Sequence, residues 1–226
     1  MADLEEQKFK VGMLMIDIFT KYIVVVPIHS KSEGDVAAGL LEGFEKFGAK
    51  PKALYTDDEG SFSTQALQTY FKEQGIQHII TRTHAPVAER AIRTIKMMLY
   101  KRIKADTDQW IDYLYPVLIT YNTKMVHSAT GFTPTDAKKE PNKMMVQLHL
   151  ELKRVSKRKY PDINVGDKVK IYKKKDMKTR KQQYSVWSEN SYEVTAINES
   201  LGQMFYSVSG FKRPLMRHEI LRLKEN

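Results

Sequence analysis

The sequence predicts an α/β domain, with a mixed sheet flanked by helices, followed by a small all-β barrel. In the first half of the chain, short β-rich runs alternate with segments whose apolar residues recur at helical spacing, an order typical of helices packed on a sheet. Beyond residue 160, several short β-rich runs follow at close spacing, which is typical of a small barrel. We therefore predict a first domain over 1–140, a basic linker over 141–159 and the barrel over 160–226.

The strands and helices of the first domain follow from local patterns. The β-rich runs cover 11–18, 22–28, 52–56 and 76–80, and the first run is nearly all apolar, as expected of a central strand. A helix over 32–47 carries its apolar residues at helical spacing, namely Val36, Leu40, Leu41, Phe44 and Phe47. A second helix over 65–74 ends at Gly75. Together these elements predict a sheet with helices on its faces.

The chain after residue 88 is predicted to be largely helical. An amphipathic helix begins at Glu89, and its apolar stripe consists of Ile92, Ile95, Met98, Leu99 and Ile103. A further helix over 106–122 places Trp110 in the core and contains Pro116, which predicts a kink or two shorter pieces. Residues 123–141 are predicted to be rich in loops. The β-rich runs of the barrel lie at 168–173, 191–198, 204–210 and 217–223, and Trp187 is predicted to be a core residue.

Composition and charge narrow the classes of function. The formal net charge is +10, which favours a polyanionic partner, and nucleic acid is the commonest one. The absence of cysteine excludes disulfides and cysteine-ligated zinc, and it fits an intracellular protein. No apolar run approaches the roughly 20 residues that a membrane-spanning helix needs, and the N-terminus shows no secretory signal. We therefore expect an intracellular protein with no membrane partner.

Acidic residues stand at the ends of two predicted elements. Asp57 and Asp58 follow the strand over 52–56, and Glu89 opens the amphipathic helix. Strand ends and helix starts hold side chains rigidly. Carboxylates held in this way can bind Mg²⁺ or Mn²⁺, which prefer oxygen ligands.

These residues and several motifs resemble the DDE core of retroviral-type integrases, which has a ribonuclease-H-like fold. The motifs that carry the resemblance are MADL, MLMIDIFTKYIVVVPI, LYTDDEGSF, VAERAIRTIK, YN at 121–122 and HSATGFTP at 127–134. The later motifs VGDKVKIY, YEVTAI and FYSVSG resemble the SH3-like barrel that often follows this core. In detail, the chain is most similar to the integrases of Maverick/Polinton-type transposons and related retroelements. The resemblance covers nearly the whole chain.

The resemblance implies that Asp3, Asp57 and Glu89 are the catalytic residues and that they hold two Mg²⁺ or Mn²⁺ ions. Two alternatives stay open. Asp17 lies inside a strong predicted strand, but the family spacing favours Asp3. Asp58 neighbours Asp57, but the acid directly after the strand threonine is the ligand in the family.

The activity that the resemblance implies is metal-dependent 3′-end processing and strand transfer of mobile-element DNA. Water trims the element end, and the new 3′-hydroxyl then attacks target DNA. Joining two ends implies a homodimer or homotetramer, and such an activity implies the nucleus of a host cell. The alternatives are a non-catalytic DNA-binding relic or fragment and a ribonuclease-H-like nuclease without strand transfer. Acids at all three positions favour an enzyme, and the basic barrel favours an integrase.

Two groups of basic residues are predicted to bind DNA. The first is Arg90, Arg93 and Lys96. In it, Arg93 and Lys96 share a helix face with Glu89, although Arg93 could instead form an ordinary helix ion pair with Glu89. The second group lies in the barrel around Tyr172 and consists of Lys168, Lys170, Lys173, Lys174, Lys175, Arg180 and Lys181. Its alternative is a solvated charged face. His84 and His127 have no partner at metal-ligand spacing, so we predict loop or packing roles for both.

The sequence departs from the family pattern at three points. The gap between Asp57 and Glu89 is short, no zinc-binding His/Cys domain precedes the core, and the strand that would carry Asp3 is nearly all cut away. These departures favour a fragment or a truncated element as the alternative to an autonomous enzyme.

Overall fold

The structure is a computed structural model that describes residues 7–57, 60–81, 85–155, 160–173 and 186–223. It divides into two compact units, residues 1–157 and 158–226. The segment over 141–159, which the sequence predicts as a basic linker or a short helix, includes the helix Lys143–Val155. Within the described ranges, no helix combines the length and the apolar character that crossing a bilayer requires.

The strands of the first unit form one antiparallel and one parallel pair. Strand β1 (Val11–Ile16) pairs with β2 (Ile23–Ile28), with Val11 opposite Ile28 and Ile16 opposite Ile23. Strand β3 (Ala53–Asp57) pairs in parallel with β4 (Gln77–Thr81). Among the described residues the two pairs are separate two-stranded sheets. The mixture of antiparallel and parallel pairing agrees with the mixed sheet that the sequence predicts.

Helices cover both faces of the β1–β2 pair, because alternate residues of a strand point to opposite sides. On one face, Val24 and Val26 pack with α1 (Glu33–Phe47) and α2 (Gln65–Glu73). On the other face, Ile23 and Val25 pack with α3 (Pro86–Tyr100) and α4 (Trp110–Ile119). The near-continuous apolar run of β2 is therefore buried on both sides, as in a central strand.

Two residues in the predicted apolar stripes are exposed instead of buried. Leu41 of α1 is 48% exposed and Ile92 of α3 is 38% exposed. Each lies at the margin of its stripe, while Leu40 and Ile95 occupy the centre and are buried. Helical spacing alone does not separate the centre of a stripe from its edge.

The helix over Trp110–Ile119 continues through Pro116 instead of dividing there. The irregularity follows it, as a π-helical turn over Thr120–Lys124. The chain then forms a short helix α5 (Pro134–Ala137), a 3₁₀ turn (Glu140–Asn142) and α6 (Lys143–Val155). Trp110 is 2% exposed and belongs to the core, as predicted.

The second unit contains a five-stranded antiparallel sheet with the order β8-β7-β6-β5-β9. Its strands are β5 (Lys168–Ile171), β6 (Tyr192–Ser200), β7 (Gln203–Val208), β8 (Leu215–Met216) and β9 (Ile220–Arg222). The last predicted run, 217–223, is shorter as a strand, because residues Arg217–Glu219 form a 3₁₀ turn. Val169, Val194 and Leu215 are fully buried at the centre of this unit. The all-β character agrees with the prediction, and the SH3-like assignment stays a prediction.

Candidate active site

Asp57 is the last residue of β3 and its side chain is exposed. It lies opposite Thr81, the last residue of β4. Because parallel strands end at the same edge of a sheet, Asp57 and the start of the segment that leads into α3 lie at one edge. This is the kind of place where open α/β sheets bind ligands.

A partly buried hydrogen-bond network lies next to Asp57. His78 of β4 places its Nε2 2.9 Å from Oγ1 of Thr56 and its Nδ1 2.8 Å from Nε2 of Gln68. The Gln68 amide also donates to the carbonyl oxygen of Phe62 at 2.9 Å. Burial lowers the pKa of His78. The imidazole is therefore neutral at pH 7.

Glu89 lies in the first turn of α3 and is exposed. The helix begins with Pro86, whose ring suits the first helical position. An acidic side chain in the first turn is stabilised by the positive end of the helix dipole. The opposite face of α3 is fixed in the core by Ala91, Ile95 and Leu99. The chain from Thr81 to Pro86 can span at most about 18 Å, so α3 begins within that distance of the end of β4.

The third predicted ligand, Asp3, lies outside the described residues, as does Asp58. Within the described ranges, no group of three or more His, Cys, Asp or Glu residues could hold a metal ion. The predicted triad of Asp3, Asp57 and Glu89 therefore stays a prediction, of which the structure describes two members. The described chain begins at Gln7, whose side-chain oxygen accepts a hydrogen bond from the backbone nitrogen of Trp110 at 3.1 Å.

Asp17, the alternative first ligand, forms part of the turn between β1 and β2. Its carboxylate accepts hydrogen bonds from the backbone nitrogens of Phe19 at 3.3 Å and Thr20 at 3.0 Å, and from the Thr20 hydroxyl. The turn also contains Lys21 with a φ of 65°. A carboxylate engaged in this way stabilises the turn. Asp3 therefore stays the predicted metal ligand, with Asp17 as the alternative.

The outer face of α3 forms an open groove of about 420 Å³. Its lining is Glu89, Ile92, Arg93, Lys96, Met97 and Tyr100. Arg93 and Lys96 therefore share one surface with Glu89, as their spacing predicts, whereas Arg90 is exposed outside this lining. Both readings of Arg93, as a DNA contact and as an ordinary helix ion pair with Glu89, stay open.

The basic residues of the second unit lie in varied surroundings. Lys168 lies opposite Glu193 in the β5–β6 ladder, and Lys173 forms an exposed ion pair with Glu189 at 3.6 Å. Lys170 lies opposite Leu221 of β9. Lys174, Lys175, Arg180 and Lys181 lie outside the described residues.

Trp187 and two histidines, His84 and His127, also have roles predicted from the sequence. Trp187 is only partly buried and packs edge-to-face with Tyr172, with ring centroids 5.9 Å apart, so it is not the core residue that the sequence predicts. His127 packs against Tyr121 at 4.9 Å, and burial followed by the charge of Lys21 lowers its pKa. The packing role predicted for His127 fits this environment. His84 lies outside the described residues.

Sequence reasoning missed the roles of His78, Gln68 and Asn122. Asn122, the second residue of the YN motif, accepts a hydrogen bond from the Ile23 nitrogen at 3.0 Å and donates one to the Ile23 oxygen at 2.9 Å. The available signal for His78 was an imidazole inside a predicted β-rich run. Gln68 gave none, because a glutamine on a helix is usually solvated.

Comparison with known proteins shows which proteins the first unit is similar to. Residues 5–86 match the integrase core domain family. The chain is 28% identical over 137 residues to the Retrovirus-related Pol polyprotein from transposon 297 of Drosophila melanogaster, covering 59% of this chain and 13% of that protein. It is 29% identical over 114 residues to the human Gypsy retrotransposon integrase-like protein 1, covering 49% of this chain and 22% of that protein. The chain thus spans less than a quarter of the length of these relatives.

A likeness to a solved structure covers nearly the whole chain. A chain of the simian T-cell lymphotropic virus intasome, solved by cryo-electron microscopy in complex with PP2A regulatory subunit B56 gamma, aligns with a TM-score of 0.57 at 17% identity. The alignment covers 98% of this chain and 77% of that one. At this identity the likeness shows the fold alone. With the family match, it confirms the resemblance to a retroviral-type integrase core of ribonuclease-H-like fold. The likeness to Maverick/Polinton elements stays a prediction.

Proposed function

We propose that this chain is a DNA integrase or transposase that performs metal-dependent 3′-end processing and strand transfer on mobile-element DNA. The observation that carries the proposal is the position of Asp57. This residue lies inside the segment that matches the integrase core domain, and it stands exposed at the end of β3 beside the end of β4. Asp3 and Glu89 lie outside the matched residues, so their part in the proposal rests on motif resemblance and on the position of Glu89 in α3.

The chemistry of the donor set fits a pair of divalent cations. Asp3, Asp57 and Glu89 would supply hard carboxylate oxygens, which Mg²⁺ and Mn²⁺ prefer. The described part of the chain provides no hydrogen bond or ion pair to the Asp57 carboxylate, and the side chain is exposed. Bound metal ions would stabilise the charge on the transferred phosphate and lower the pKa of the attacking water or 3′-hydroxyl.

The outer face of α3 is suited to hold the DNA end beside these carboxylates. Arg93 and Lys96 line the same groove as Glu89, and cations so placed bind the phosphates on either side of the reacting one. Tyr100, which is 45% exposed, extends this face by a further turn and offers an aromatic ring for a base to stack on. The groove therefore presents carboxylate, cationic and aromatic side chains along one face of α3.

The second unit would also bind DNA. Its described lysines Lys168, Lys170 and Lys173 belong to a strongly basic segment, and a small barrel with such a segment suits a nucleic-acid backbone. Joining two element ends in one event requires at least two active sites, so the proposal includes a homodimer or homotetramer. The nucleus of the host cell is the compartment that this activity requires.

A second candidate is a DNA-binding fragment without catalysis. It is favoured by the basic surfaces of the chain, which can bind DNA phosphates whether or not metal ions are bound. On this view the basic groove of α3 and the basic second unit retain DNA, but the chain does not complete the reaction.

A strand-transfer assay distinguishes these functions. The chain is incubated with Mn²⁺ or Mg²⁺, a labelled duplex that carries the element end and an unlabelled target plasmid. We expect joined products from the wild type and a loss of at least about 100-fold in Asp57→Asn and in Glu89→Gln, because each change removes an anionic oxygen from the metal site. The matched control is Asp17→Asn, which alters an acid of the hairpin turn and should leave joining intact.

Each outcome assigns a function. Joined products that disappear in Asp57→Asn and Glu89→Gln but persist in Asp17→Asn support the integrase. Nicking without joining assigns a nuclease. Retention of DNA without any metal-dependent chemistry assigns the binding fragment.

A further inference from the structure

The imidazole of His78 links Thr56, near the end of β3, to Gln68 of α2. On one side, His78 contacts the hydroxyl of Thr56, the residue directly before Asp57, at 2.9 Å. On the other side, it contacts the amide of Gln68, which also donates to the carbonyl of Phe62 at 2.9 Å. Thr56 and Phe62, which lie on either side of Asp57 in the sequence, therefore both take part in this hydrogen-bond network.

The donors of this network determine which nitrogen of His78 carries the proton. The Gln68 amide nitrogen has two hydrogens, and it uses them toward Phe62 and His78. Nδ1 of His78 is then an acceptor, so the proton of the neutral ring is on Nε2 and is donated to Thr56. A second proton on Nδ1 would face the amide hydrogens of Gln68.

Thr56 is held through both its side chain and its main chain. Its hydroxyl accepts from His78, and its carbonyl accepts a hydrogen bond from the Thr81 hydroxyl at 3.2 Å. Thr56 is 7% exposed, so water does not replace these partners easily. Because the peptide between residues 56 and 57 is planar, fixing Thr56 on two sides limits the rotation of the backbone that carries Asp57.

We propose that His78 is a positioning residue for Asp57. Through Thr56, the neutral imidazole sets the direction in which the strand end presents the Asp57 carboxylate. The proposal rests on the proposed function, in which this carboxylate binds the catalytic metal. A displacement of about 1 Å at a reacting group can lower a rate by about 100-fold, so a hydrogen bond one residue away from the ligand can affect turnover strongly.

The competing role is simple packing, because the His78 ring also lies 5.0 Å from the ring of Phe71. The variant His78→Phe keeps an aromatic ring and removes both hydrogen bonds. The variant His78→Gln restores one acceptor and one donor at similar reach, and Thr56→Val removes only the hydroxyl at the other end of the contact. His149→Phe is the matched control, since His149 is also partly buried, donates one hydrogen bond from Nδ1 to the Thr130 carbonyl at 2.6 Å and lies in α6.

Two measurements separate positioning from packing. The first is hydrogen exchange of the peptide that spans residues 52–62 in the full chain. We expect His78→Phe and Thr56→Val to raise its exchange rate about 10-fold or more, and His78→Gln and His149→Phe to leave it within about 3-fold of the wild type. The second is the steady-state rate of strand transfer, where the same two variants should lower kcat by about 10- to 100-fold with the KM for DNA little changed.

The outcomes distinguish a failure of this proposal from a failure of the proposed function. Wild-type exchange in His78→Phe overturns the positioning role, whatever the activity. The positioning role is also overturned if kcat falls in proportion to thermal stability across all variants and His78→Gln does not restore kcat. If the wild type itself joins no DNA, the proposed function fails, and increased exchange in both His78→Phe and Thr56→Val still supports the structural part of the proposal.

Discussion

Replacing Asn122 by alanine should destabilise the first unit more than replacing an exposed residue of the π-helical turn would. The amide of Asn122 makes two hydrogen bonds to the backbone of Ile23, one to its nitrogen and one to its oxygen. Asn122 is 6% exposed and Ile23 is 1% exposed. Alanine therefore leaves a donor and an acceptor of β2 buried without partners.

The expected magnitude follows from these two groups. An unsatisfied buried backbone group costs about 1 to 3 kcal/mol, so the pair predicts a loss of about 2 to 6 kcal/mol in the free energy of unfolding. For a unit of this size, each kcal/mol lowers the melting temperature by about 2 to 4 °C. The variant should therefore melt about 4 to 24 °C below the wild type.

Urea and thermal unfolding, followed by circular dichroism, measure this effect. The control is Asn142→Ala, which removes one partly buried hydrogen bond from the Asn142 amide to the Asp136 oxygen at 2.9 Å. That change should cost about 0.5 to 1.5 kcal/mol. A loss in Asn122→Ala no greater than in Asn142→Ala would refute the view that this side chain holds the start of β2.

Two further predictions concern DNA and pH. Replacing both Arg93 and Lys96 by glutamine should weaken duplex binding and reduce the slope of log affinity against log salt by about 2, since each phosphate contact contributes about 0.9. Fluorescence anisotropy measures this, and Lys46→Gln, which affects a lysine paired with Glu42 at 2.6 Å, should leave the slope unchanged. Burial lowers the pKa of both His78 and His127 in the folded chain. The unfolded chain therefore takes up more protons as the pH falls through about 6.5, and the urea midpoint should fall between pH 7.5 and pH 5.5. An equal fall in the double variant His78→Phe, His127→Phe would contradict this assignment.

The position of Asp57 could be predicted from the sequence, because a β-rich run that ends in an acid is a local pattern. The same holds for Glu89 at the start of an amphipathic helix. The role of Asp17 could not be predicted in this way. In the sequence, an acidic metal ligand and an acidic turn residue look the same, because either can follow a run of apolar residues. The structure shows that Phe19 and Thr20 donate hydrogen bonds to the Asp17 carboxylate, as in a turn.

The contacts that span the chain were also beyond local patterns. Asn122 meets Ile23 across 99 positions, and His78 meets Thr56 across 22. Periodicity reports which face of a helix or strand is apolar, but it does not report which polar atom of another element completes a hydrogen bond. For the same reason, Ile92 was assigned to the core although it lines the exposed groove of α3.

The sequence by itself determined the elements, the integrase-core resemblance and the candidate acids, because all of these follow from short patterns in neighbouring residues. Only the tertiary structure decided that Asp17 serves a turn, that Arg93 and Lys96 share an open groove with Glu89, and that His78 holds the residue before Asp57. These facts depend on the direction of side chains from elements far apart in the chain. Packing sets such directions, and no single segment contains the information.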